Sequence, residues 1–185
     1  MFLEAADYPF TRLLESHWQV ILEECRALPS RKFKAWHEKW IYNQGWNVCG
    51  LLAFGKRIES GSSLCPETSK ILAQIPGIFT AGFSSLAPGT QIKPHRGYSG
   101  SILRCHLGLK VPPHCALRVA GEAREWQEGR CLIFDDTSVH EAWNRSSEER
   151  VVLLIDFKKS PRDFSFLEKM KIGFLKILAG QYLKD

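Results

Sequence analysis

No pair of the six cysteines (Cys25, Cys49, Cys65, Cys105, Cys115 and Cys131) stands in a CxxC spacing, which removes the usual sequence marks of a zinc knuckle or a dithiol redox couple. No stretch approaches the ~18 uninterrupted apolar residues of a membrane-spanning helix. The opening MFLEAADYPF has neither the basic start nor the apolar run of a secretory signal. These absences predict reduced thiols in a cytoplasmic protein, several of them buried in strands. Internal repeats, linkers and low-complexity tracts are missing too, so residues 1–185 are expected to form one domain, long enough to bury a substantial core. The net charge of +5 comes from lysines and arginines interleaved with acids. That pattern describes a solvated surface, with a secondary preference for acidic ligands or an anionic membrane. The stretch RKFKAWHEKW (31–40) mixes base and aromatic, but no nucleic-acid motif accompanies it, and nucleic acid is not expected as a partner.

What is present sorts by periodicity. In FTRLLESHWQVILEECRAL (10–28), Leu14, Trp18, Ile21, Leu22, Cys25 and Leu28 recur at helical spacing, and Pro29 ends the run. IYNQGWNVCGLLAFGKRIE reads as one or two aromatic-rich strands. CPETSKILAQIPG reads as a short helix, with Pro66 in its first turn and Pro76–Gly77 closing it. Trp36, Trp40 and Trp46 are expected to fill core, with walling a substrate pocket as the alternative. From residue 78 short β-like runs follow one another: FTAGFSSL, SILRCHLGLKV, CALRVA, REWQEGRCLIF, HEAWN and RVVLLIDF. Breakers at 88–89, 112–113, 128–129 and 144–147 separate them. Such spacing predicts a mainly β fold of the jelly-roll, cupin-like class, with its core at about 78–158 and helices at both ends. The final segment PRDFSFLEKMKIGFLKILAGQYLKD reads as a helix, apolar on one face and lysine-bearing on the other. Packing on its own domain or peripheral contact with a membrane would both suit it.

Strand alternation then places candidate functional groups. In ILRCHLGLKV, Leu103, Cys105, Leu107, Leu109 and Val111 share an apolar face, while Ile102, Arg104, His106, Gly108 and Lys110 share the other. An Arg and a His on one face suit an anionic ligand; a merely polar outer face is the competing reading. His95 and His140, 45 residues apart, each read as the start of a strand that could meet at one mouth of a barrel. Asp136 precedes His140 by four residues, and Arg150 opens the strand on which Val152, Leu154 and Asp156 alternate.

The segments FSSLAPGTQIKPH (83–95), LRCHLGLKVP (103–112), WQEGRCLIFDDTSVHEAW (126–143) and RVVLLIDF (150–157) together resemble the aspartyl/asparaginyl β-hydroxylase family of iron(II)- and 2-oxoglutarate-dependent oxygenases, with weaker similarity upstream through GWNVCGLLAFG and CPET. The resemblance implies a double-stranded β-helix and a dioxygenase that couples O2 and oxidative decarboxylation of 2-oxoglutarate to C–H hydroxylation. It also implies two histidine ligands, His95 and His140, with Gly97 where other oxygenases carry an acid. By the same match, Arg150 and Ser84 hold the distal carboxylate of 2-oxoglutarate and His106 contacts its other end. Asp136 orients a metal-bound water in place of the missing acid, although a turn-forming Asp is the alternative for that position. Two imidazoles suit iron(II), and an arginine fork suits a carboxylate.

Arg104 matches one of the two arginines that hold a substrate carboxylate in the family, but the second position is Ile102. The expected substrate is an acidic small molecule or peptide bearing an Asp/Asn-type side chain. The alternatives are a lipid A-type acyl chain, a three-His metalloenzyme using His95, His106 and His140, or a 2-oxoglutarate-binding module without turnover. The sequence does not specify an oligomeric state.

Overall fold

The computed structural model describes residues 1–160. The C-terminal helix expected from residue 161 onward, with its candidate membrane face, lies outside the described residues. Among those described, no helix is long and apolar enough to cross a membrane.

The strands are β1 (Phe2–Leu3), β2 (Lys34–Ala35), β3 (Trp46–Ala53), β4 (Lys56–Arg57), β5 (Ile78–Leu86), β6 (Gln91–His95), β7 (Ile102–Lys110), β8 (Cys115–Val119), β9 (Glu122–Glu125), β10 (Cys131–Phe134), β11 (His140–Asn144) and β12 (Arg150–Lys158). They form an eight-stranded sheet in the order β1-β10-β7-β12-β5-β3-β2, with β4 paired to β3, and a four-stranded sheet in the order β6-β11-β8-β9. The expected jelly-roll class is what forms, and strands upstream of residue 78 widen its large sheet.

The large sheet is buried on both faces. Outward, Leu103, Cys105, Leu107 and Leu109 of β7 and Leu153, Ile155 and Phe157 of β12 meet Leu14, Ile21, Leu22 and Cys25 of the N-terminal helices. Inward, Val152, Leu86, Trp46 and Phe134 pack with Ile92, Leu117, Val119 and Ala142 of the small sheet. The face of β7 that carries Arg104 and His106 is therefore a barrel interior, not a polar outer face. All six cysteines are free and buried.

Three local expectations are corrected. The run 10–28 is two helices, α1 (Phe10–Ser16) and α2 (Trp18–Ala27), broken at His17. There the imidazole Nδ1 takes the Leu13 carbonyl at 2.9 Å, and the His17 amide turns to Leu14 instead. The run REWQEGRCLIF splits into β9 and β10, which lie in different sheets. His95 ends a strand rather than starting one: β6 contains Pro94, tolerated because β6 is an edge of the small sheet.

Leu153 is fully buried at the centre of β12, so Leu153→Ala should cost about 2–5 kcal/mol. Urea denaturation should show a lowered midpoint with an unchanged slope.

Candidate functional site

Antiparallel pairing sets His95 of β6 directly opposite His140 of β11. Their rings lie 4.1 Å apart between centroids. Each Nδ1 meets a backbone carbonyl two residues back: His95 with Lys93 at 2.8 Å and His140 with Ser138 at 2.9 Å. A neutral imidazole that donates through Nδ1 presents its Nε2 lone pair, and this arrangement orients a metal ligand. His140 is kept neutral, its pKa pushed down to about 3 by burial and by the neighbouring His95 and Arg104.

Asp136 completes this corner. Its Oδ1 lies 3.4 Å from His140 Nε2 and 2.7 Å from Arg104 Nη1. Since that oxygen accepts no aligned hydrogen bond, the Arg104 contact is a close pairing of opposite charges. Asp156 takes the rest of the guanidinium in a fork, at 2.7 Å to Nε and 3.0 Å to Nη2. Burial opposes the Arg104 charge, but Asp136 and Asp156 outweigh it and raise its pKa.

The Asp136 carboxylate also explains Gly97. A Cβ at residue 97 would sit 1.6 Å from Asp136 Oδ2, and the Gly97 amide donates to the Asp136 carbonyl at 2.7 Å. The space where an acid at 97 would begin is filled by an acid from the loop before β11. Among the described residues no group of three His, Cys, Asp or Glu is arranged to hold a metal. The residues at this corner that could hold a cation are the histidine pair, with Asp136 beside it.

Further along the interior face, register places Ser84 of β5 opposite Val152 and His106 of β7 opposite Leu154, both on β12 below Arg150. Trp126 Nε1 donates to His106 Nδ1 at 3.3 Å. That bond assigns the proton to His106 Nε2, which is buried and has no partner. Burial, with help from Arg104 and Arg150, drives the His106 pKa well below its ordinary value and keeps the ring neutral. Trp46 Nε1 donates to Ser84 Oγ at 3.1 Å, leaving the hydroxyl hydrogen available. Arg150 is 2 % exposed; its Nη1 meets the Ser84 carbonyl at 3.1 Å, Trp126 stacks 4.6 Å from its guanidinium carbon, and its Nε has no partner. Burial alone pulls its pKa down to about 9. Buried donors on three adjacent strands thus lack an acceptor, as a site for a carboxylate-bearing ligand requires.

The expected residues therefore fall into two neighbouring groups, His95–His140–Asp136–Arg104 and Ser84–His106–Arg150. Beside them lies a cavity of about 500 Å³ that reaches Ser84, Gly97, Arg104 and Asp136. Sequence reasoning missed Trp126, Trp46 and Asp156 as orienting groups. Alternation with Arg150 had placed Asp156 on the right face, whereas nothing local distinguishes either tryptophan from core. Trp46 is buried and Trp36 stacks on it at 4.7 Å, but Trp40 is 68 % exposed rather than core.

Comparison with known proteins supports the family resemblance and the fold. The model of the family described as Aspartyl/Asparaginyl beta-hydroxylase matches residues 15–160. An ornithine lipid ester-linked acyl 2-hydroxylase of Rhizobium tropici is 45% identical over 117 residues, 62% of this chain and 42% of that protein. The human aspartyl/asparaginyl beta-hydroxylase is 33% identical over 154 residues, 77% of this chain and 20% of that protein. The chain thus spans less than half the length of these relatives. Among solved structures, a Pseudomonas putida prolyl-4-hydroxylase shares the fold with TM-score 0.52 at 17% identity, over 79% of this chain and 88% of that one.

Gly97→Asp should destabilise the fold by about 1–3 kcal/mol through overpacking against Asp136. In an Asp136→Gly background the same substitution should cost markedly less. A double-mutant cycle in urea measures the difference.

Proposed function

The chain belongs to the aspartyl/asparaginyl β-hydroxylase family, and from that premise we propose that it is an iron(II)- and 2-oxoglutarate-dependent hydroxylase. The observation that carries the reading is the set of buried, acceptor-less donors on His106 and Arg150, with the Ser84 hydroxyl beside them, next to a histidine pair whose Nδ1 atoms are held by backbone carbonyls. His95 and His140 would hold the iron. When bound, iron with O2 and 2-oxoglutarate supplies the oxidative decarboxylation that drives C–H hydroxylation.

The chain's own residues bind and orient. Arg150 neutralises the distal carboxylate of 2-oxoglutarate in a site where an unpaired guanidinium is costly, and the Ser84 hydroxyl donates beside it. His106 Nε2–H donates to the other carboxylate end. That tautomer supports assigning His106 to the co-substrate rather than to a three-His metal site, because its Nδ1 is occupied by Trp126. Asp136, braced by Arg104, places a carboxylate beside His140 without an acid at residue 97. The apolar interior around Val152, Leu154 and Phe134 keeps bulk water away.

For the substrate, the cavity supports an acyl chain. Its walls include Val48, Leu52, Ala53, Phe54, Ile58 and Leu154. The Arg104 fork is already filled by Asp156, so a substrate carboxylate would have to displace that acid. The Rhizobium tropici relative is named as an acyl 2-hydroxylase. An Asp/Asn-type substrate is the second reading, favoured by the presence of Arg104 in the cavity wall.

Iron(II)-loaded protein with 2-oxoglutarate should form succinate on exposure to air, and an amphiphile with an ester-linked acyl chain should raise that rate more than an Asp-containing peptide. Mass spectrometry of the acyl chain should find one added oxygen. Succinate formation absent with every substrate would identify a binding module, and stimulation by the peptide alone would restore the Asp/Asn reading.

A further inference from the structure

The cavity that would take the substrate has a basic opening. Arg31, Lys34 and Arg96 line it while remaining exposed, Lys32 lines it half-buried, and Glu38 is the acid beside them. Its floor carries no free opposite charge, since Asp136 and Asp156 are both engaged by Arg104. An apolar pocket with cations at its exit suits a chain inside and an anionic surface outside.

The basic band continues past the cavity. β2 is the outer edge of the large sheet, and both of its residues are exposed. Five residues further on, Trp40 presents an indole that is 68 % exposed, between exposed Lys39 and Lys93, whose ammonium lies 3.3 Å from the Trp40 carbonyl. None of Lys39, Trp40 and Lys93 lines the cavity. A single substrate headgroup has no use for them, whereas an extended surface does. An exposed indole among lysines is the side-chain chemistry of a bilayer interface, where the ring sits at headgroup level and the ammonium groups meet anionic lipid.

We propose that the rim formed by Arg31–Trp40, Lys93 and Arg96 docks on an anionic phospholipid bilayer and delivers membrane-resident acyl chains to the cavity. This rests on the acyl-chain reading of the site for its purpose, but the docking itself requires neither metal nor turnover. Neighbouring acids are few at this face: Glu38 accepts from Trp36 Nε1 at 3.2 Å. Single-stranded nucleic acid would meet the charge and stack a base on the indole, but it leaves the apolar cavity that the same rim surrounds without a ligand.

The test is co-sedimentation of the metal-free full chain with phosphatidylcholine vesicles, with and without phosphatidylglycerol. Binding should require phosphatidylglycerol, weaken with added salt, and fall at least about tenfold in K32E/K34E, since each basic residue near an anionic surface contributes on the order of 1 kcal/mol. Trp40→Ala should also weaken binding and remove part of the fluorescence blue shift seen with vesicles. Lys34 and Trp40 are exposed and Lys32 is half-buried at the rim, and circular dichroism of the variants checks that they fold as the wild type does. Absence of binding to anionic vesicles overturns the proposal. So does binding that persists undiminished in both variants, which would place the contact elsewhere on the chain, and so does retention of an oligonucleotide in place of vesicles. Because the assay contains no iron or 2-oxoglutarate, failure to dock and failure to hydroxylate are separate results.

Discussion

Arg150 is the constraint around which the interior is arranged. A guanidinium buried to 2 % exposure with no carboxylate partner among the described residues is a cost that packing alone does not justify. The protein contributes one carbonyl hydrogen bond and one indole face to it, and leaves Nε unsatisfied. Trp126 serves two of the donors at once, stacking on Arg150 and fixing the His106 tautomer. Among the described residues, the surroundings therefore leave a buried cation without an internal counter-charge, which is what the proposed 2-oxoglutarate carboxylate would supply.

The second charge cluster has the opposite character. Arg104 is buried too, though less deeply than Arg150, and its fork and one further nitrogen are taken by Asp156 and Asp136. Two arginines of one barrel thus differ in charge balance: one is neutralised internally and the other is not. The internally paired arginine braces Asp136 beside the histidines. Through the Gly97 backbone, Asp136 also accounts for the absence of an acid two residues after His95. A chain with a side chain at 97 could not keep this arrangement.

Much of this was legible in the sequence because β7 and β12 alternate strictly. Leu103, Cys105 and Leu107 against Arg104 and His106 define two faces before any coordinates, and Arg150, Val152, Leu154 and Asp156 do the same. What was not legible depends on contacts between distant segments. The break at His17 arises from a side chain capturing a backbone carbonyl within an otherwise regular apolar stripe. β6 is masked by Pro94, which an edge strand accepts. The orienting roles of Trp46 and Trp126 depend on Ser84 and His106, 38 and 20 residues away. That the interior face of β7 is buried at all requires the small sheet, which local alternation cannot reveal.

The most direct measurement is calorimetric titration of 2-oxoglutarate into anaerobic, iron(II)-loaded wild type and Arg150→Met, alongside melting curves of both proteins without ligand. The account predicts binding to wild type, at least about thirtyfold weaker binding to the variant, and a ligand-free variant no less stable than wild type, because an unpaired buried charge has been removed. Equal affinity in the two proteins, absence of binding to wild type, or a marked loss of stability in the ligand-free variant would contradict the claim that Arg150 is held in place for an external carboxylate.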